Sequence, residues 1–172
     1  MKALFIGRFQ PFHNGHLNVL KYLSNKFDKI IIGIGSSQYF NTTENPFTAD
    51  ERKLMIDRTM KKAGINNYKI VLIPDLHNPP KWVEHVLSIY SDFDIVISNN
   101  AFTKQLFSDK GFIVKKTPFF NKNKFSGKVI RKKIKNNESW KDLVPKSVYK
   151  IIQEINGEKR IKNVWMRYNI IY

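Results

Sequence analysis

Two hydrophobic periods alternate along this chain. Apolar runs of strand length stand at Ala3-Leu4-Phe5-Ile6 and at Lys29-Ile30-Ile31-Ile32-Gly33-Ile34-Gly35-Ser36. Further runs follow at Tyr68 to Ile73, Asp94-Ile95-Val96-Ile97-Ser98 and Phe112-Ile113-Val114. Their length and β-branched content predict buried strands. Between them the spacing turns helical, first in Leu17-Asn18-Val19-Leu20-Lys21-Tyr22-Leu23. Thr48-Ala49-Asp50-Glu51 reads as a capping box, with Thr48 as N-cap and Glu51 three residues on. It opens a helix carrying Leu54, Met55, Met60 and Ala63 that stops at Gly64. Pro79-Pro80-Lys81-Trp82-Val83 starts another helix, because proline is tolerated in a first turn. Short helices are predicted at Ala101 to Phe107 and from a Ser126 cap through Ile134. A last helix runs from Val144 to Ile155, with Gly157 ending it. Residues 164–172 are aromatic and basic, and suit a terminal helix, an oligomer contact or a frayed tail.

Strands alternating with helices define an α/β class. The expected architecture is a Rossmann-like, doubly wound parallel sheet of about five strands, with helices on both faces and a helical C-terminal portion. No repeat and no long linker divides the 172 residues, so one domain is expected. Residues 1–125 form its α/β core and residues 126–172 a basic helical part. Ligands of such sheets sit beyond the C-terminal ends of the strands. Those ends carry Gly7-Arg8, Gly35-Ser36 and Ser98-Asn99-Asn100, small and polar residues suited to a crevice.

Composition narrows the setting. Apolar content is 42%, which argues against global disorder. No apolar stretch approaches the roughly 20 residues that cross a bilayer. The chain enters its first strand without a signal-peptide pattern and has no cysteine, so a cytoplasmic protein with no membrane contact is expected. The net charge is +16, and it is uneven. Residues 115–172 hold 16 basic and 4 acidic residues, a balance of +12 against +4 for residues 1–114. Such a segment calls for an anionic partner. No helix-turn-helix, zinc-finger or aromatic RNA-binding motif accompanies it, so nucleotide phosphates are favoured over nucleic acid. Lys132, Lys133 and Lys135 read as a solvated helix face.

The chemistry concentrates in two places. His13-Asn14-Gly15-His16 lies between the first strand and the first helix. A helix N-terminus offers unpaired N–H groups and partial positive charge, and two imidazoles add donors. Ser126-Gly127-Lys128 repeats the arrangement at a later helix start, with Arg131 about one turn in. Neither G-x-G-x-x-G after the first strand nor G-x-x-x-x-G-K-[ST] is present.

Taken together, these segments resemble the H-x-G-H nucleotidyltransferase superfamily, and within it the archaeal nicotinamide-nucleotide adenylyltransferase family. Gly7 to His16 is similar to that family's G-R-x-Q-P-F-H-x-G-H. Asn45-Pro46-Phe47-Thr48-Ala49-Asp50-Glu51-Arg52 is similar to its N-P-F-T-A-x-E-R, and Ser126-Gly127 with Arg131 to its S-G-x-x-x-R. Ile32 to Gln38 and Glu154 to Ile161 extend the likeness to about residue 162. The chain departs at Lys128 for a usual threonine, at Asn99-Asn100-Ala101 for Gly-Asn-Pro, and at Phe40-Asn41-Thr42 for Ser-His-Thr.

The resemblance implies AMP transfer from ATP to nicotinamide mononucleotide, giving NAD and pyrophosphate. It implies His13, His16 and Arg131 as catalytic residues. ATP would be held by Gly7, Arg8, Phe9, His13, His16, Ser126, Gly127 and Arg131. The mononucleotide would be held by Gly35, Ser36, Arg52, Trp82 and Asn100. Magnesium would ride on the phosphates of ATP, with no metal ligand from the protein. A homo-oligomer is implied, a hexamer among its forms.

Overall fold

The computed structural model describes residues 1–117, 121 and 124–171, with backbone alone for residues 168–171. Part of the lysine- and asparagine-rich loop before Ser126, the last side chains and Tyr172 lie outside the described residues. Five strands form one parallel sheet: β1 (Lys2–Gly7), β2 (Lys29–Gly35), β3 (Tyr68–Ile73), β4 (Ile95–Ile97) and β5 (Ile113–Lys115). Their spatial order is β3-β2-β1-β4-β5, so the winding reverses between β1 and β4. The crevice expected at that reversal lies above Gly7 and Ile97.

Neighbouring residues of one strand point to opposite faces, and both faces are filled. Ala3, Ile30, Ile32, Ile34, Ile95 and Ile97 bury one side. Against them pack α1 (Asn14–Ser24), α2 (Ala49–Lys62), α5 (Gly127–Lys135), α6 (Lys146–Glu154) and α7 (Gly157–Ile171). Leu4, Ile31, Val71, Ile73 and Val96 bury the other side against α3 (Pro79–Ile89) and α4 (Ala101–Asp109). The three-layer α/β arrangement expected from the periodicity is the one found. Among the described residues no helix is long and apolar enough to cross a membrane.

Local chemistry sets the boundaries. Thr48 Oγ1 accepts from Glu51 N at 3.2 Å and Thr48 N donates to Glu51 Oε2 at 2.9 Å, which completes the capping box of α2. Gly64 takes φ +69° just beyond that helix. The predicted Val144–Ile155 helix is corrected. A 3-10 turn covers Lys141–Leu143, and Pro145 holds Val144 extended, so α6 starts only at Lys146. Gly157 does not end that helix. Asn156 takes the left-handed turn at φ +54°, and Gly157 opens α7. A Cβ on Gly157 would stand 2.9 Å from the Phe47 ring, so the glycine serves close packing. The basic C-terminal part is tied back to α2, where Arg160 Nη1 and Nη2 meet Glu51 Oε2 and Oε1 at 2.5 and 2.8 Å.

Candidate active site

The loop after β1 and the N-terminus of α5 are far apart in sequence and adjacent in space. Gln10 carries the junction. Its buried side chain donates to Phe47 O at 2.9 Å and accepts from Phe47 N at 3.0 Å. Its own carbonyl accepts from Arg131 Nη1 at 2.7 Å. Gly127 permits this approach, since a Cβ there would stand 2.7 Å from Gln10 O. The result is a cavity of about 450 Å³ at the sheet reversal. Arg8, His13, His16, Ser126, Lys128 and Arg131 line it, together with Phe9, Gly127 and Asn100. Two helix N-termini, those of α1 and α5, therefore converge on one space. Both carry partial positive charge.

His13 and His16 cap each other. His16 N donates to His13 Nδ1 at 3.3 Å, and His13 N donates to His16 Nδ1 at 3.3 Å. The rings stack with centroids 3.5 Å apart. An Nδ1 that accepts a backbone N–H leaves the proton of a neutral ring on Nε2. Burial lowers the His13 pKa to about 4. Burial, and then the charge of His13, hold His16 well below its ordinary range. The Phe9 and Phe12 rings flank His16 at 4.8 and 5.5 Å. Near neutral pH the pair is thus two uncharged N–H donors.

The arginines divide by partner. Arg131 donates Nε to Thr43 O at 3.0 Å and Nη1 to Gln10 O, which leaves its Nη2 edge without a partner among the described residues. Burial brings its pKa down to about 10, so it stays charged. Arg8 is half-exposed and pairs with Glu44. Arg52 is fully buried and holds four carbonyls, those of Thr48, Arg8, Gly35 and Ser36, at 2.8 to 3.1 Å.

The residues expected to hold the mononucleotide lie in three places. Arg52, Gly35 and Ser36 form a buried knot beside the site, where the strand-end carbonyls take the guanidinium donors. Gly7 is partly exposed, and a Cβ there would meet the Phe9 ring at 2.9 Å, so the glycine lets that ring pack against the end of β1. Asn100 lines the main cavity, but its Oδ1 caps α4 through Thr103 N. Trp82 lies in a second cavity of about 240 Å³ with His77, Asn78, Phe102 and Thr103. Ser126 Oγ caps α5 through Val129 N at 3.2 Å, as expected. Lys133 pairs with Glu138 and Lys135 lies over the Trp165 ring, so neither faces the cavity.

The family described as cytidylyltransferase-like matches residues 4–133. A nicotinamide-nucleotide adenylyltransferase of Methanococcus aeolicus is 49% identical over 172 residues, 99% of each chain. Another, from Archaeoglobus fulgidus, is 45% identical over 95% of this chain and 97% of that protein. This chain belongs to the nicotinamide-nucleotide adenylyltransferase family. Its fold also matches a Francisella tularensis crystal structure, described as a bifunctional NMN adenylyltransferase/ADP ribose pyrophosphatase with AMP and a manganese ion. That match has a TM-score of 0.79 at 23% identity and covers 99% of this chain and 55% of that longer one.

Several contacts of the site carry no local signal in the sequence. Gln10 sits between apolar neighbours and gives no periodic signal of burial. Asn99 brackets Thr117: its Nδ2 donates to Thr117 O and Oγ1 at 3.1 and 2.9 Å, and its Oδ1 accepts from Thr117 N at 3.1 Å. Both line the main cavity. The departure at Asn99 thus supplies a local cross-link between the ends of β4 and β5. Thr43 and Glu44 lie on an irregular loop, and only the fold brings them to the arginines. His85 is structural: its Nε2 donates to Pro74 O at 2.8 Å.

Proposed function

We propose that the chain transfers AMP from ATP to nicotinamide mononucleotide, with NAD and pyrophosphate as products. A mononucleotide 5′-phosphate oxygen attacks the α-phosphorus in line. The new P–O bond forms as the bond from the α-phosphorus to the β-phosphate bridging oxygen breaks, and pyrophosphate leaves with that electron pair. The observation that carries this reading is the reciprocal His13–His16 cap. Both Nδ1 atoms accept backbone N–H groups, and both rings line the cavity with the starts of α1 and α5 and with Arg131, which supports a pair of neutral Nε2–H donors there.

The attacking phosphate has its second pKa near 6, so it is ionised at neutral pH without a base. A histidine with a pKa of about 4 is a poor base and a serviceable donor. Catalysis then rests on positioning and on donors aimed where charge spreads. His16 and the start of α1 hold the α-phosphate. His13, Arg8 and Arg131 hold the β- and γ-phosphates and the departing pyrophosphate. The flat pyridine ring lies against Trp82 in the second cavity. Arg52 positions the floor by fixing the ends of β1 and β2.

Magnesium enters with the substrate as MgATP. Among the described residues no group of three metal-ligating side chains is present, and the cavity wall carries cations. That donor set suits a metal held by phosphate oxygens and water. A cytoplasmic homo-oligomer, with the hexamer as one form, completes the proposal, and light scattering tests its size. The direct test is mass-verified NAD formation from MgATP with nicotinamide mononucleotide, beside phosphopantetheine, riboflavin phosphate and glycerol phosphate as rival acceptors. NAD as the main product is expected. Turnover of a rival acceptor alone would overturn the reading.

A further inference from the structure

Among the described residues the main cavity wall carries Arg8, Lys128 and Arg131 and no acidic side chain. One acid stands at its rim. Glu44, on the loop between β2 and α2, accepts from Arg8 Nη1 through Oε2 at 2.9 Å. Its carboxyl is held below the usual range, first by the hydrogen bond and charge of Arg8, then by Arg131 and Lys128. A single carboxylate therefore feels all three cations of the wall.

The same turn grips both arginines in different ways. Arg131 is held by a backbone acceptor, Thr43 O, and is buried. Arg8 is held by a side chain, and the two partners are 51% and 69% exposed. A pair so exposed is weak and exchangeable. Nor does the turn need the carboxylate for its shape. Thr42 N donates to Asn45 O at 3.2 Å and Asn45 N to Thr42 Oγ1 at 2.9 Å.

We infer that the Glu44 carboxylate occupies Arg8 in place of a phosphate and competes there with the polyphosphate ligand. This rests on the reading of the cavity as a polyphosphate site. On binding, the terminal phosphates of ATP take over Arg8 and Glu44 swings into solvent. After transfer, Glu44 returns to Arg8 and loosens pyrophosphate. The residue thus exchanges some ground-state affinity for faster release of an anion that three cations would otherwise retain.

The test is calorimetric titration of inorganic pyrophosphate with magnesium into the wild type, Glu44→Gln, Glu84→Gln and Arg131→Ala. Glu84 pairs with Lys110 on the surface, away from the cavity, and matches the change in net charge. Glu44→Gln is expected to bind pyrophosphate about three- to ten-fold more tightly, from the loss of one exposed competing charge. Glu84→Gln is expected to match the wild type, and Arg131→Ala to bind far more weakly. Equal or weaker binding by Glu44→Gln would overturn the inference, since Glu44 would then be idle or would hold Arg8 ready for the ligand. Equal binding by Arg131→Ala and the wild type would instead defeat the polyphosphate reading, and the inference with it.

Discussion

Each of His13 and His16 gives its backbone N–H to the other's Nδ1, both at 3.3 Å. The cap therefore does two jobs. It satisfies N–H groups at the start of α1, and it fixes both protons on Nε2. The tautomer makes a direct prediction. Nitrogen chemical shifts of both rings should report neutral Nε2–H imidazoles from pH 6 to 8. A charged ring in that range would contradict the donor role.

The same burial links stability to pH. In the unfolded chain an imidazole titrates near 6.5, and in the fold His13 titrates near 4. Between these values the unfolded state binds the extra proton. Stability is therefore full above about pH 6.5 and is lost as pH falls toward about 4. His13 contributes a slope of up to about 1.4 kcal/mol per pH unit. His13→Asn retains a capping acceptor and should flatten this slope, as read by chemical denaturation across pH 4 to 7. An unchanged slope would mean that other groups dominate.

Arg52 should behave as a structural residue. Its four carbonyl partners lose their donor in Arg52→Met, which should cost about 3 kcal/mol or more. Arg52→Lys keeps the charge but not the planar fork, and should recover only part of that loss. Thermal melts check both. A variant of wild-type stability with only a raised KM for the mononucleotide would reverse the assignment.

Two glycines should separate packing from ligand approach. Gly127→Ala forces a Cβ against Gln10 O at 2.7 Å and should lower turnover at least about tenfold by moving the start of α5. Gly35→Ala meets nothing nearer than 3.6 Å within the chain and should fold normally. A raised mononucleotide KM in Gly35→Ala would show that the ligand comes close to that strand end.

The sheet, its helices and both phosphate-type motifs were legible in the sequence because each rests on local signals. Buried runs, the Thr48–Glu51 box and the Ser126 cap all lie within a few residues. The fate of Arg52 was not legible. Nothing in Thr48 to Arg52 shows that the carbonyls of Gly35 and Ser36 come within reach, since that depends on how β1 and β2 end side by side. Gln10 and the Asn99–Thr117 bracket were hidden for the same reason. The apolar spacing from Val144 misleads locally, because the effect of Pro145 on the preceding residue outweighs it.

Trp82 offers a further check on the second cavity. Its ring is half-buried and packs edge-on against Phe107 with centroids 5.6 Å apart. Trp82→Ala should raise the mononucleotide KM by about tenfold, in line with roughly 1 to 1.5 kcal/mol for an aromatic pair, and leave the KM for ATP unchanged. Equal changes in both constants would place the ring outside the acceptor site.

The central claim is that neutral histidine donors stabilise the transferring α-phosphate. Steady-state NAD formation by His16→Ala, with a melting curve on the same sample, tests it most directly. Turnover should fall by at least about a hundredfold, as for loss of a donor at a charge-developing oxygen, while the lost cap and the lost ring packing on Phe9, Phe12 and His13 cost about 2 to 4 kcal/mol of stability. Turnover within a few-fold of the wild type, in a folded variant, would contradict it.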